Sequence, residues 1–296
     1  MFLGDNKHVL VGLVSYYSKL RGIRHSGLKI MFRGKYQNYC FWLLKNMISN
    51  MCNDVKELQK GSGVKDYTED VYLCSYPRSG NTWLRYLIAF YREPCVEWNL
   101  DRLQHIVPDI HYTEKISPII PIPRVIKSHF LYDSNYSKVI YLVRDGRDVC
   151  VSYYDVQTRI HGYKGTFDDF IIDLCTERIW PSSWQKHVES WLDMRSERSI
   201  LLIKYEDLFS RVEDVLLEVI QFVGLDWCRS RAQLAAQKAS LEKIWGDHIK
   251  MGPHKHLGFK GGVAGRPGTR KKLFSRETED IFLQYTRDAM KLAGYL

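Results

Sequence analysis

Val71-Tyr72-Leu73-Cys74-Ser75-Tyr76-Pro77-Arg78-Ser79-Gly80-Asn81-Thr82-Trp83-Leu84-Arg85-Tyr86-Leu87-Ile88 reads as a strand, a loop and a helix in succession. Val71 to Cys74 is a short apolar run of β-favouring residues, the pattern of a buried strand. Pro77 has no N–H to give to a ladder, so the strand stops before it. Gly80 frees the backbone for a tight turn. From Asn81 onward the apolar residues Trp83, Leu84, Leu87, Ile88 and Tyr91 recur at helical steps. Such a unit aims the N–H groups of the helix start at one spot, where the helix dipole adds partial positive charge. Arg78 brings a full charge, and Ser79 and Thr82 bring hydroxyls. An ATP-type phosphate loop reads G-x-x-x-x-G-K-[ST]; here Ser75 stands at its first glycine and Asn81 at its lysine. The stretch is either a cradle for a nucleotide with one 5′-side phosphate or an ordinary strand–turn–helix unit.

Outward from this stretch, the pattern repeats. Arg124 to His129 is a second apolar run, and Lys138 to Val143 is the clearest strand, closing on Arg144-Asp145-Gly146-Arg147-Asp148. A helix is expected from near Asp148. Helical spacing recurs over Phe167–Cys175 and Trp184–Met194, and Ile200 to Tyr205 gives a fourth strand. A helix with Val215, Leu216, Val219, Ile220 and Val223 inward follows, with Gly224 as its stop. Apolar strands alternating with amphipathic helices predict an α/β fold, a parallel β-sheet flanked by helices on both faces. Ligands bind such sheets at the carboxyl ends of the strands. That places Arg78, His129, Arg144 and Tyr205 on one rim. Pro108 to Pro123 reads as irregular.

Residues 1–65 differ from the rest and read as a basic, helical N-terminal extension, with 66–296 as the main domain. Tyr39 to Leu58 carries a long amphipathic pattern, broken at Gly61-Ser62-Gly63, and Lys19 to Lys35 is rich in cations. The extension is either a helical layer on the core or a docking surface for an anionic substrate or a membrane face.

Bulk properties bound the function. The 296 residues, 45% hydrophobic and 13% aromatic, describe a packed globular chain. A net charge of +9 suits an anionic cofactor or substrate, nucleic acid or an acidic surface. Seven cysteines without a C-x-x-C pair suggest free thiols in a reducing, cytoplasmic setting. No apolar run is long enough for a membrane span, and the interrupted patch Val9–Leu20 does not read as a signal peptide.

On the rim, His129 can take a proton from a hydroxyl and Lys127 can stabilise negative charge, or the two are a solvated polar strand end. Arg144 and Ser152 would together grip a second phosphate, unless Arg144, Asp145, Arg147 and Asp148 merely pair with one another. Phe259 to Gly268 is glycine-rich and basic. His248, His254 and His256 fit no zinc spacing, so no metal is expected.

These residues carry a family resemblance. Tyr76 to Trp83 resembles the 5′-phosphosulfate loop of sulfotransferases that use 3′-phosphoadenosine 5′-phosphosulfate (PAPS), with Arg78 where a lysine is usual. Lys127-Ser128-His129 is similar to their catalytic-histidine segment. Tyr141 to Asp148, with Ser152, resembles their 3′-phosphate segment. Tyr205-Glu206-Asp207-Leu208 and Ser240-Leu241 resemble the segments beside adenine, and Lys260 to Gly265 resembles the C-terminal R-K-G-x-x-G motif, with Lys260-Gly261 at its arginine–lysine pair.

The resemblance implies a P-loop-like nucleotide-binding architecture and sulfuryl transfer from PAPS, without a metal, to an acceptor hydroxyl (less readily an amine) on a glycan or small metabolite. It casts His129 as base, with Lys127 and Arg78 stabilising charge. The amides of Ser79, Gly80, Asn81 and Thr82 would hold the 5′-phosphate, and Trp83, Tyr205 and Ser240 the adenine. Arg144, Ser152, Lys260, Gly261 and Gly262 would hold the 3′-phosphate. Asp101, His105, His111 and the stretch Tyr153–Tyr163 would wall the acceptor. No nucleic-acid partner is expected, and the oligomeric state stays open. The alternatives are a kinase on the same cradle, for which the lysine at Asn81 is missing, and a non-catalytic nucleotide- or polyanion-binding module.

Overall fold

The computed structural model describes residues 69–112, 120, 122–194, 196, 199–244, 267–268 and 273–296. The expectations for 1–65 and for Lys260, Gly261 and Gly262 lie outside the described residues.

Four parallel strands form one sheet, β1 (Val71–Cys74), β2 (Val125–Ser128), β3 (Lys138–Val143) and β4 (Ser199–Lys204), in the order β2-β1-β3-β4. Both faces are apolar because alternate residues point opposite ways. Ile140 and Leu142 join one core with Leu73, Leu87 and Ile203, while Val139, Tyr141 and Val143 join another with Trp184, Trp191 and Phe282. A sheet of this kind needs helices on both sides, and both are covered. On the first face lie α1 (Asn81–Arg92), α7 (Val212–Val223) and α8 (Arg229–Lys238). On the second lie α4 (Phe167–Cys175), α5 (Trp184–Leu192) and α9 (Arg276–Leu292). The shorter α2 (Leu100–Leu103) and α6 (Tyr205–Ser210), and the helix α3 (Gly146–Arg159), complete the set.

The strand starts are tied by a buried ion pair. Arg124 grips Asp70 through two charge-assisted hydrogen bonds of 2.7 and 2.5 Å, and the Arg124 carbonyl accepts from Val71 N at 2.9 Å. At the other end the chain leaves β1, crosses to β2 on one side and then reaches β3 on the other. β1 is therefore a switch point, where an open parallel sheet forms a crevice at its carboxyl edge.

Some boundaries differ from the sequence expectation. The helix expected near Asp148 begins at Gly146, because the Asp145 carboxylate caps it by accepting from Arg147 N at 3.0 Å. The Trp184 helix ends at Leu192 rather than Met194. Gly224 stops α7 as expected, at φ +91°. The start of the proline-rich region is ordered: Asp109 bridges Lys127 in parallel, with Lys127 N donating to Pro108 O at 2.7 Å and Ile110 N to Lys127 O at 3.1 Å. Residues 108–110 thus run as an extra, one-bridge strand along the outer edge of β2.

Candidate active site

The loop between β1 and α1 is held open around a single point. Gly80 is the N-cap of α1 at φ +99°; the cap has no side-chain hydrogen bond, and the first turn holds no acidic residue. The helix start therefore keeps its partial positive charge for an outside anion. A Cβ on Gly80 would stand 2.5 Å from Tyr205 Cε2, so the position must be glycine for Tyr205 to close against the loop. Arg78 sits at φ +70°, a conformation that costs a non-glycine residue about 1–2 kcal/mol. The surroundings enforce it: Arg78 Nε donates to Ser152 Oγ at 3.0 Å, and its carbonyl accepts from Arg144 Nη1 at 3.2 Å. The buried Ser79 hydroxyl has no hydrogen-bond partner among the described residues. Asn81 turns back, donating from Nδ2 to Ser75 Oγ (3.0 Å) and Leu73 O (3.3 Å). Its side chain braces the loop, and its contribution to an anion can only come from its backbone.

Positive charge is concentrated here. The Arg144 guanidinium lies 4.5 Å over the Tyr205 ring. Burial, and then Arg144 itself, bring Arg78 down to about 10, so Arg78 remains cationic at neutral pH. Two guanidiniums, an unpartnered buried hydroxyl and an uncapped helix start fit the phosphates of a nucleotide. Ser152, expected at a second phosphate beside Arg144, instead contacts Arg78, so both expected phosphate grips converge on one wall. Gly268, the last residue of the glycine-rich segment, donates its N–H to Asp148 Oδ2 at 2.6 Å, one helical turn from Arg144.

His129 extends past the end of β2. Its Nδ1 lies 2.6 Å from the Ser75 carbonyl, which can only accept, so Nδ1 carries the proton and Nε2 keeps its lone pair. Burial and the neighbouring Lys127 ammonium hold the imidazole well below its ordinary pKa, so it is neutral at pH 7. Lys127 is itself buried and brought down to about 8, while Asp109 Oδ2, 2.5 Å from Nζ, opposes the drop.

Trp83 is edge-on to Tyr205 at 6.0 Å and to Phe209 at 6.3 Å. Its indole N–H donates to Ala239 O at 2.8 Å, next to Ser240. Trp83 and Tyr205 thus meet at one aromatic corner, with Ser240 one residue beyond the carbonyl that holds the indole. Tyr205, expected as the last residue of the fourth strand, instead opens α6, because β4 ends at Lys204.

Of the acceptor-wall candidates, His111 reaches His129: its Nε2 accepts the His129 backbone N–H at 2.8 Å, and the two rings stack with centroids 5.6 Å apart. Asp101 and His105 are exposed on and just after α2. Tyr153 is buried, and its hydroxyl donates to Trp180 O at 2.6 Å. Sequence reasoning missed Trp180, Phe130 and Asp109. The Trp180 ring, 51% exposed, stands edge-on to His129 (5.8 Å) and His111 (5.1 Å), and Phe130 packs on His111 at 4.5 Å. A cleft of about 560 Å³ opens beside them, lined by Phe130, Leu131, Tyr132, Asp133, Ser134, Trp180 and Pro181. Trp180 comes from the loop between α4 and α5, far from any motif; its one sequence signal is an aromatic residue before a proline.

Fold and rim together define an α/β protein with an anion-suited strand–loop–helix at the switch point and a neutral histidine beside it. The family model for the sulfotransferase domain matches residues 68–294, and the chain belongs to that family. Human sulfotransferase 4A1 is 31% identical over 182 residues, 56% of this chain and 63% of that protein. Human sulfotransferase 1C2 is 26% identical over 194 residues, 60% and 66% of the two chains. The matched stretch therefore spans about 63% of the first of these relatives, under two thirds. Among solved structures, mouse sulfotransferase SULT7A1 complexed with PAP superposes with a TM-score of 0.56 at 20% identity, over 77% of this chain and 90% of that one. A retinol dehydratase in complex with androsterone and inactive cofactor PAP gives 0.57 at 18%, over 76% and 81%. These likenesses establish a shared fold.

Proposed function

We propose that the chain transfers a sulfuryl group from PAPS to an acceptor hydroxyl. The observation that carries this reading is the tautomer of His129: Nδ1–H is committed to Ser75 O, which leaves Nε2 as a base on the rim that also holds Arg78 and Arg144. Donor PAPS supplies the sulfuryl group and leaves as 3′-phosphoadenosine 5′-phosphate. The amides of residues 79–82, the Thr82 hydroxyl and Arg78 would hold its 5′ side. Arg144 and Ser152, with Lys260, Gly261 and Gly262, would hold the 3′-phosphate. Trp83, Tyr205 and Ser240 would border adenine.

His129 Nε2 takes the acceptor's proton as the acceptor oxygen forms its bond to sulfur. The bond from sulfur to the bridging oxygen breaks, and its electron pair stays on that oxygen. Lys127 and Arg78 stabilise the charge that develops there. The cleft beside Trp180 and Phe130 takes the acceptor body, a small molecule or a glycan end. The domain proper would run over 66–296 behind an N-terminal extension, in a cytoplasmic setting; buried Cys74, Cys150 and Cys175, all free thiols, favour a reducing one. Asn81, tied to Ser75 and Leu73, weighs against the kinase alternative.

Calorimetric titration with 3′-phosphoadenosine 5′-phosphate beside ATP with magnesium tests the donor. Micromolar binding of the bisphosphate with little ATP binding is expected; tight magnesium-dependent ATP binding overturns the reading. His129→Ala should keep bisphosphate binding and lose about 100-fold or more in turnover.

A further inference from the structure

We propose that Asp109 and His111, on the one-bridge strand outside β2, are positioning residues that set the charge and direction of Lys127 and the orientation of His129. This rests on the sulfotransferase reading above. Three contacts interlock. Asp109 Oδ2 takes the Lys127 ammonium at 2.5 Å. Asp109 Oδ1 accepts the His111 backbone N–H at 3.0 Å. His111 Nε2 in turn accepts the His129 backbone N–H at 2.8 Å. The backbone of the same segment is laced to β2 on both sides of Lys127, and Gln104 Oε1 holds Asp109 N at 2.8 Å. One carboxylate thus joins the two groups that would do the chemistry, through a strand held to the sheet edge by a single bridge.

Each contact has a chemical requirement. Lys127 is buried, with the Arg85 guanidinium opposing its charge from α1, and its own charge acts on both the His111 and His129 imidazoles. Asp109 is the anion that keeps the ammonium protonated there. An imidazole accepts a hydrogen bond through Nε2 only when neutral, so His111 must carry its proton on Nδ1. Burial and Lys127 hold His111 below its ordinary value, against Asp109, which favours neutrality at working pH. Protonation of His111 turns its acceptor into a donor facing the His129 N–H. The bond between them then breaks, and the stacked pair of rings with it. The base and its holder therefore fail together in acid.

The test uses the full chain and two readouts. With a turned-over acceptor, His111→Ala should lower kcat about tenfold or more with donor KM within about twofold, the mark of a lost transition-state arrangement. His111→Gln, whose amide oxygen can accept the same N–H, should restore most of it. The acid limb of the rate should fall with two protons in the wild type and one in His111→Gln. Asp109→Asn should move the alkaline limb to lower pH. Wild-type kcat and pH profile in His111→Ala, or no rescue by glutamine, overturns the proposal. Independently of turnover, ¹⁵N-histidine NMR should show His111 and His129 both protonated on Nδ1 at pH 7.5; a proton on His111 Nε2 overturns it too. If bisphosphate binding and turnover are absent from the wild type, the parent reading fails and takes the catalytic role with it, while the NMR result still decides the holding geometry.

Discussion

The Tyr205 ring occupies the space that a side chain on Gly80 would need: a Cβ there would stand 2.5 Å from Tyr205 Cε2. The first residue of α6 thereby closes the loop after β1, and the same ring carries the Arg144 guanidinium 4.5 Å above its face. Sheet edge, loop and cation are registered through one aromatic side chain.

Gly80→Ala should accordingly damage the site. The residue sits at φ +99°, where alanine is strained, and the added methyl must displace a buried ring. Together these should destabilise the chain by about 2–4 kcal/mol. A lowered melting temperature with weakened bisphosphate binding is the expected result; unchanged values for both would show that Tyr205 can move aside.

The rate should have a pH window, with His129, beside His111, setting its acid side and Lys127 its alkaline side. His129 lies well below its ordinary value of 6.5, so it is a free base throughout the neutral range and its protonation limits the rate only in acid. Lys127 must be protonated to stabilise charge and is brought down to about 8, so the rate should decline above that pH. A kcat/KM profile still rising at pH 10 would remove Lys127 from the mechanism.

The Asp70–Arg124 pair should matter for folding and not for chemistry. Both side chains are buried and joined by two hydrogen bonds. Asp70→Asn would remove the Asp70 charge from beside a buried guanidinium, for a loss of about 3–5 kcal/mol. The exposed pair Lys186–Glu177 provides the control: Glu177→Gln should change stability by under about 1 kcal/mol. Equilibrium urea unfolding of both variants distinguishes the cases, and equal losses would contradict the burial argument.

Buried His187 should make the fold acid-sensitive. Its ring is fully enclosed, with Nδ1 3.0 Å from the Tyr141 hydroxyl, and burial takes it to about 3. The folded value lies below the unfolded one, so below pH 6.5 the unfolded chain binds the extra proton and stability falls with pH. The slope builds toward one proton, about 1.4 kcal/mol per pH unit, as pH falls below 6.5, for a loss of about 2 kcal/mol between pH 6.5 and 4.5. His129 adds to it with the same sign. His187→Leu should flatten the pH dependence of stability by about one proton; an unchanged slope would place the titration elsewhere.

Much of this architecture is written locally. The runs Val71–Cys74 and Lys138–Val143, the glycine at 80 and the helical steps after Asn81 follow from period and backbone chemistry, so the strands, α1 and the rim residues Arg78, His129, Arg144 and Tyr205 were legible. The start of α3 was displaced because its N-cap, Asp145, acts through a side-chain bond that apolar spacing does not record.

By itself, the sequence determined which residues leave the strand ends and that they share an edge, because alternating strands and helices force a parallel sheet whose exits face one way. The tertiary structure alone decided which of them touch. It turned Asn81 inward, set Arg78 on Ser152, and brought Trp180 from a distant loop to His129. It also laid Asp109 against Lys127. These contacts join segments with no shared periodicity. What fixes them is the desolvation of buried charge: an ammonium or guanidinium enclosed on this rim must find an anion or an acceptor, and only the packed fold determines which one lies within reach.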